Sequence, residues 1–524
     1  MHDLIRRGPK PAVLTAEQAA ALVNDGATVA VGGLISVLCP EKILAALEQR
    51  FRTTGQPRDL TVVTPVRVGW QPGTGLEHFT PPGMLRRLVS GSFSDRDSPA
   101  LAQLVAENQI EAYSFSMGTL FEWLRAIGSG QPGWLTPVGV GTYLDPRHGG
   151  GRQNECARED FVRLVTFEGE EYLFYPARPI DVAIIRATTA DERGNLTLED
   201  EPVTLGGLEI AMAARASGGL VIAQVKRRAA AHTLPARNVA VPGIFVDAVV
   251  VDPEQRQSLL PDNAAWTGSV RAPRDELTQP LPLDVRKVIL RRAAQEIRPG
   301  DVVNLGVGIP VGLPQLALEE NWLEDITFSL EHGAVGGVPT GEEVFGAHWN
   351  PDAFLSSPQV FEFYHGGGLS VSLLGFAQVD GAGNVNVSRF NGRFRGSGGF
   401  IDICHRTQRL VFCGTLTTGG LDAVVDDGRL SIRREGRVAK FVPLVEHLTF
   451  NAHQALKRGQ SCLYVTERAV FRLGPNGLVL TEYAPGVDVR RDILDRIGCR
   501  AAVDPAVRPM DAHLFRADKA EVGA

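Results

Sequence analysis

The sequence is poor in cysteine and carries no strong charge of either sign. Its six cysteines among 524 residues form no CxxC pair and no metal-ligand spacing, which predicts reduced thiols and no structural metal site. The formal net charge is -7. A chain of this balance has no general attraction for nucleic acid or for an anionic membrane surface, so neither is an expected partner.

Long hydrophobic runs are also missing. The most apolar stretch, 239–251, contains Pro242, Gly243 and Asp247 and is far shorter than the roughly 20 residues that span a membrane. The N-terminal segment MHDLIRRGPKPAVL has neither a long apolar stretch nor a small-residue cleavage site. We therefore predict no membrane segment, no secretory signal and a cytoplasmic location.

Several catalytic signatures are absent. The chain has no GxSxG, no HExxH, no zinc deaminase pattern and no GxxxxGK[ST] loop, and its LGVGIP segment lacks the full GxGxxG spacing. These absences argue against a serine hydrolase, a zinc enzyme, a nucleoside triphosphatase and a nicotinamide enzyme.

An internal repeat is present. Each copy reads as a helix, a turn glycine, a β-branched strand, a glycine loop and a second helix. A second match, at an offset of 189, pairs the DxxGN segments at Asp191 and Asp380, which we interpret as hairpin turns. The first match holds a constant offset of 274 and aligns Ala19, Ala20, Val23, Gly26, Val29, Gly32 and Pro40 with Ala293, Ala294, Ile297, Gly300, Val303, Gly306 and Pro314.

The repeat predicts two duplicated open α/β domains with mainly parallel sheets and an active site in the cleft between them. We place the first domain at 1–275 and the second at 284–524, joined through the proline-rich stretch 271–284. The fall in offset from 274 to 189 means about 85 additional residues in the first half, by subtraction. We place this insertion at about 60–150, with a helix over 100–110.

One acid is conspicuous in the second half. The apolar run 326–330 predicts a strand that ends at Glu331, and the glycine-rich segment HGAVGGVPTG follows. Local sequence alone favours a turn acid that faces water. A carboxylate at the C-terminal end of a strand can also act as a base or as a covalent nucleophile, with backbone N–H groups of glycine loops holding an oxyanion.

The chain resembles the family I coenzyme A transferases, and particularly their single-chain bacterial short-chain members, whose two halves correspond to the α and β subunits of split relatives. The resemblance runs in family order across nearly the whole chain. The segments that carry it are NDGATVAVGG, GLEHF, TPVGVGTYLDPRHGGG, NLGVGIP, SLEHGAVGGVPTG, FYHGGGLSVSLLGFAQVDGAGNVNVSRF and GSGGFIDI.

The resemblance implies a ping-pong reaction in which Glu331 forms an acyl-glutamyl anhydride and then a glutamyl-CoA thioester. It implies acyl-CoA and a small carboxylic acid as substrates, no metal, no permanently bound cofactor and a homo-oligomer (dimer or tetramer). It also suggests Met117 and Gly118 at the substrate pocket. The glycines that match oxyanion-binding or CoA-binding segments are Gly398, Gly399, Gly306, Gly308, Gly32 and Gly33.

The chain departs from the family pattern at three places. One is the segment SGSFSDRDSPALAQL, which lacks the tryptophan-containing stretch of the acetate- and propionate-using members. Ser116-Met117-Gly118 stands where many relatives have proline-glutamine-glycine, and the first glycine loop reads GGLISVLCP rather than carrying phenylalanine after its two glycines. Two alternatives therefore stand beside CoA transfer. One is an acyl-CoA hydrolase on the same scaffold, and the other is a non-catalytic ligand-binding or regulatory module.

Overall fold

The computed structural model describes residues 10–517. The first nine residues, which belong to the segment predicted to hold no secretory signal, lie outside that range. The described chain contains two large sheets, one built from residues before 252 and one from residues after 301. Within residues 10–517, no helix is both long enough and apolar enough to cross a membrane.

The strands of the first sheet are β1 (Ala12–Leu14), β2 (Thr28–Val31), β3 (Leu60–Thr64), β4 (Leu85–Ser90), β5 (Glu111–Ser114), β6 (Val182–Asp191), β7 (Leu196–Thr197), β8 (Leu220–Ala229), β9 (Val239–Val241) and β10 (Ala248–Val251). The sheet is parallel along its main path, in the order β1-β10-β8-β6-β2-β3-β4-β5, and β7 is antiparallel to β6 and β9.

The strands of the second sheet are β11 (Val302–Leu305), β12 (Thr327–Phe328), β13 (Val371–Gly375), β14 (Arg409–Cys413), β15 (Ser461–Val465), β16 (Ala469–Gly474), β17 (Gly477–Tyr483) and β18 (Ala502–Pro509). Their order in the sheet is β12-β11-β13-β14-β15-β16-β17-β18. The sheet is parallel from β12 to β15, antiparallel through β16 and β17, and parallel again at β18.

Smaller strands form local sheets. Gly133–Thr136, Arg163–Phe167 and Glu170–Pro176 make a three-stranded sheet. The remaining antiparallel pairs are Ala334–Val335 with Ala353–Phe354, Val338–Pro339 with His348–Trp349, Gln378–Val379 with Val385–Asn386, Arg389–Phe390 with Arg393–Phe394, Thr417–Thr418 with Val438–Ala439, and Asp422–Asp426 with Arg429–Arg434.

Helices pack against the sheets, and α4 (Met117–Gly128) is buried on nearly all sides. In the longest, Ile43, Leu44 and Leu47 recur at helical spacing and are buried, and Gly55 ends the helix in the left-handed region. The helices are α1 (Ala16–Ala20), α2 (Glu41–Thr54), α3 (Pro99–Ala106), α4 (Met117–Gly128), α5 (Gly207–Ala216), α6 (Arg274–Leu277), α7 (Val285–Ala294), α8 (Leu313–Glu319), α9 (Ser357–His365), α10 (Phe400–Arg406) and α11 (Ala452–Lys457).

The structure confirms the predicted α/β class with mainly parallel sheets. Both DxxGN segments are turns between antiparallel strands, in which Asp191 accepts from the Asn195 N–H and Asp380 from the Asn384 N–H. Much of the predicted insertion is β4, β5 and their helices, which extend the first sheet beyond β3, whereas the second sheet ends at β12. The helix predicted over 100–110 ends earlier, at Ala106.

The two halves share one hydrophobic core. Leu34, Val66, Met117 and Phe121 of the first half belong to the same buried cluster as Phe361 and many other residues of the second. Because apolar burial is the main stabilising contribution to folding, this shared cluster fixes the halves against each other and forms a cleft between them.

Candidate active site

Glu331 lies on a turn and is buried, with 6% of its surface exposed. Strand β12 is shorter than the predicted run 326–330, because Gly333 donates to the Leu330 carbonyl and turns the chain. A side chain at Gly333 would lie 2.3 Å from Thr204 Oγ1, so the turn requires glycine. The burial excludes the solvent-facing turn acid that local sequence alone favours.

Asn304 holds the Glu331 carboxylate. Its Nδ2 donates to Glu331 Oε2 at 3.2 Å and to the Ser329 carbonyl at 3.1 Å. The Tyr364 hydroxyl donates to the same carbonyl at 2.8 Å, and burial raises the pKa of Tyr364 so that this hydroxyl stays protonated. Sequence reasoning did not select Asn304 or Tyr364, although Asn304 begins the NLGVGIP segment that carries the family resemblance.

A cavity of about 510 Å³ surrounds Glu331 and is lined by both halves. The first half supplies a wall of apolar side chains, Leu34, Ile35, Val66 and Met117, and in addition Arg67 and Ser92. The second half supplies the glycine loops. The structure thus brings five of the predicted site residues to Glu331, namely Met117, Gly306, Gly308, Gly398 and Gly399.

Gly399 makes the closest approach of a glycine loop to the acid. A Cβ atom at this position would lie 3.4 Å from Glu331 Oε1 and 3.3 Å from the Phe361 ring. Among residues 10–517, the Gly399 N–H has no hydrogen-bond partner. An N–H group in this position can stabilise negative charge that develops on a carbonyl oxygen.

Hydrogen bonds from the first half hold this glycine loop in place. The Met117 N–H donates to the Gly398 carbonyl at 2.9 Å, and the Gly398 N–H donates to the Gly91 carbonyl at 2.9 Å. The Tyr143 hydroxyl donates to Ser397 Oγ at 3.0 Å. The loop is therefore positioned by the opposite half of the molecule.

Asp402 joins the halves behind the loop and is fully buried. It accepts from Ser116 Oγ at 3.0 Å, from the Gly118 N–H at 3.0 Å and from the His365 ring at 3.1 Å. Gly118 does not line the Glu331 cavity, and a Cβ there would lie 2.6 Å from Asp402 Oδ1. The predicted pocket residue thus has a structural contact with Asp402, which the sequence analysis did not select.

The contacts of His332 are not those of a general base. Its Nε2 lies 4.0 Å from Glu331 Oε1, and its Nδ1 is buried without a hydrogen-bond partner in the described part of the chain. Burial lowers the pKa of this imidazole, which therefore stays neutral at pH 7. The ring packs edge-on against Phe345 and helps to shape the turn.

Gly32 and Gly33 lie apart from the other predicted glycines. They line a second cavity, of about 930 Å³, that contains Glu122 and Glu209 but not Glu331. A side chain at Gly33 would lie 2.6 Å from Val68 and 3.0 Å from the Leu38 carbonyl. Close packing of the first glycine loop is therefore a sufficient reason for this glycine.

Comparison with known proteins decides the family. The family model described as "Coenzyme A transferase" matches residues 13–252. The chain is 41% identical to the acetate CoA-transferase YdiF of Escherichia coli K12 over 506 residues, which is 96% of this chain and 95% of that protein. The chain belongs to the coenzyme A transferase family. This confirms the predicted family and the predicted enzyme class, a CoA-transferase.

Two further matches agree with this assignment. The caffeate CoA-transferase of Acetobacterium woodii is 38% identical over 511 residues, which cover 96% of this chain and 97% of that one. The apoenzyme structure of the acyl-CoA transferase YdiF from E. coli O157:H7 superposes with a TM-score of 0.92 at 40% identity, covering 98% of this chain and 97% of that chain. These relatives are enzymes, so the non-catalytic alternative loses its support.

Proposed function

We propose that the protein transfers coenzyme A from an acyl-CoA to a carboxylic acid, with Glu331 as the covalent carrier. One observation carries the proposal. Glu331 is a buried carboxylate, held by Asn304, in the cavity that the two halves form together. It lies beside a glycine N–H that has no partner among the described residues.

In the first step, a Glu331 carboxylate oxygen attacks the thioester carbonyl and the C–S bond breaks. This gives an acyl-glutamyl anhydride and a free CoA thiolate. The thiolate then attacks the Glu331 carbonyl of the anhydride, which releases the first acid as a carboxylate and leaves a glutamyl-CoA thioester. We assign the stabilisation of the oxyanion that forms in these steps to the Gly399 N–H, since a Cβ at this residue would lie 3.4 Å from Glu331 Oε1.

In the second half of the reaction, the incoming carboxylate attacks the glutamyl-CoA thioester and expels the CoA thiolate. The thiolate then attacks the acyl carbonyl of the new anhydride, which gives the new acyl-CoA and regenerates Glu331. One thioester replaces another, so the cycle balances without an external energy source. Asn304 donates to Glu331 in the free enzyme and orients the attacking oxygen.

The wall formed by Leu34, Ile35, Val66 and Met117 favours an apolar acyl group. Relatives of similar identity are named for acetate and for caffeate, acids of very different size. Met117 replaces the polar glutamine of many relatives, so we expect hydrogen bonding to the acyl group to contribute little to substrate selection. The short-chain assignment, the cytoplasmic location and the homo-oligomer remain predictions.

Mass spectrometry tests the covalent role directly. Incubation with an acyl-CoA alone is expected to add the mass of CoA to the peptide that contains Glu331, and borohydride is expected to remove this adduct and inactivate the enzyme. The matched control is the Glu331→Gln variant, in which the adduct should be absent. An adduct on another residue, or full transfer by Glu331→Gln, would contradict the proposal.

A panel of carboxylic acids separates transfer from hydrolysis. Loss of acyl-CoA is measured with and without each acid. A transferase consumes the donor beyond one equivalent per site only when an acceptor is present, whereas a hydrolase consumes it with water alone. The same panel identifies the preferred acid.

A further inference from the structure

Lys440 lies at the other end of the cavity that contains Glu331, and its charge has no partner there. It lines this cavity, and in the described part of the chain its ammonium makes no hydrogen bond and no ion pair. Nζ lies over the ring of Phe376, 4.1 Å from its centroid. Burial lowers the pKa of this ammonium to about 8.

The acidic groups near Lys440 are already engaged or neutral. Glu467 attracts the ammonium electrostatically, but one of its oxygens accepts from the Leu416 N–H at 2.9 Å and the other from Arg468 Nε at 2.6 Å. Burial raises the pKa of the Cys413 thiol to about 12, so it carries no charge at pH 7. A half-buried cation without a matching acceptor is unfavourable, and a ligand in this cavity can supply the acceptor.

The sheet gives the separation between the two groups. Glu331 follows β12, and the order β12-β11-β13-β14 leads to Gly414, directly after β14. A Cβ at Gly414 would lie 2.6 Å from Lys440 Nζ, so Lys440 occupies the space above this strand end. Three strand spacings correspond to about 14 Å. Because the Glu331 carboxylate accepts from Asn304 of β11, it lies two to three spacings, about 10–14 Å, from this strand end.

Glycines stand at the strand ends between these two groups. Gly306 follows β11, Gly375 ends β13 and Gly414 follows β14, and all three line the cavity. A polar chain can approach backbone closely at such positions. A short acyl group attached at Glu331 cannot span about 10–14 Å, whereas the pantetheine arm, with two amides and a hydroxyl, is long enough.

From this geometry we infer that Lys440 binds a neutral acceptor oxygen on the pantetheine arm of the CoA substrate, at the end of the arm remote from the thiol. The inference rests on the proposed function, because it takes CoA as the ligand of the Glu331 cavity. Lys440 is a positioning residue: it contacts substrate far from the reacting carbonyl. Binding energy gained there contributes to the difficult steps at Glu331.

A series of truncated donors tests the contact. The same acyl group is offered as its CoA, pantetheine and N-acetylcysteamine thioesters to the wild type and to Lys440→Met. We expect kcat/KM to fall about 10- to 100-fold for the first two donors, as for the loss of a charge-assisted hydrogen bond. No change is expected for the N-acetylcysteamine thioester, which lacks the remote part of the arm.

Any other pattern of activity losses across the three donors overturns the inference. A loss confined to acyl-CoA would assign Lys440 to the nucleotide phosphates, and an equal loss with all three donors would place its effect at the reacting centre. No loss with any donor would show that Lys440 does not bind the arm. The Lys440→Gln variant retains an N–H donor and is expected to recover part of the activity, which a purely structural role would not predict.

Two controls complete the design. Arg437 is an exposed cation on the same segment and does not line the cavity, so Arg437→Met should leave all three donors unaffected. At saturating acyl-CoA, the Lys440→Met variant should still form the CoA adduct on Glu331. Absence of this adduct in the wild type would instead contradict the proposed function itself.

Discussion

The two halves of the molecule use one scaffold, yet only one of them carries an acid at the corresponding strand end. In the second half, β12 lies next to β11 and leads to Glu331. In the first half, β3 lies next to β2 in the same way and leads to Pro65 and Val66. The duplicated fold therefore supplies a crevice in each half, and the reactive side chain is an addition to one of them.

The residues near Glu331 also differ from the aligned residues of the first half. Asn304, which holds Glu331, aligns with Ala30 at the repeat offset (304 minus 274). Gly207 is the first residue of α5, whereas Gly398-Gly399 directly precedes α10. Aligning the two glycine pairs in the sequence sets Ile210 opposite Asp402. Glycine loops are thus properties of the scaffold, whereas the polar residues beside them distinguish the half that carries the acid.

Removing the acid should produce the largest effect. We expect Glu331→Gln to lower kcat/KM at least about 10³-fold, because Glu331 is the only carboxylate among the described residues that line the cavity. Val66→Ala, at the cavity wall of the other half, should cost less than about 10-fold. Steady-state kinetics on both variants check this contrast, and similar losses from the two would remove the asymmetry between the halves.

Asp402 should contribute mainly to stability. Replacement by Ala leaves the Gly118 N–H buried without an acceptor and removes one of the two partners of Ser116 Oγ, which keeps Thr119 Oγ1. We therefore expect a loss of about 2–4 kcal/mol in the free energy of unfolding. The Ile210→Val change, at the aligned apolar position, should cost about 0.5–1.5 kcal/mol. Denaturant unfolding measures both, and an Asp402→Ala protein as stable as Ile210→Val would contradict the role given to this contact.

Asn304→Ala makes the second half resemble the first at this position. It removes a hydrogen bond to a carboxylate, and we expect kcat to fall about 10- to 100-fold. Because the side chain orients Glu331 rather than binding the CoA arm, KM for acyl-CoA should change little. The rate of CoA adduct formation provides the measurement, and an effect on KM alone would show that orientation is not its role.

The smallest expected effects come from alanine substitutions of two glycines, one in each half. Gly399→Ala places a methyl group 3.4 Å from Glu331 Oε1, and we expect kcat/KM to fall about 10-fold. Gly207 has no atom within 4 Å of its added Cβ, so Gly207→Ala should leave activity unchanged. Kinetics and thermal unfolding of the pair separate these outcomes, and equal activity losses would count against a special position for Gly399.

Much of the fold was predictable because it depends on local patterns. The repeat register, the β-branched strands and the DxxGN turns each follow from short sequence segments, and the structure shows them. Glu331 was selected by its position and by the family resemblance. Asn304, Asp402 and Lys440 were not selected, because each acquires its contact from chain that is distant in sequence, such as Asp402 with Ser116. Spacing along one segment holds no information about such contacts.

The two backbone hydrogen bonds between Met117, Gly398 and Gly91 have a dynamic consequence. The Met117 amide belongs to the first half and the Gly398 amide to the second, yet each donates to the opposite half. Separating the halves would break both bonds in one event. Deuterium would then enter the two amides at a common rate, and this rate would measure how often the cleft opens far enough to admit a large substrate.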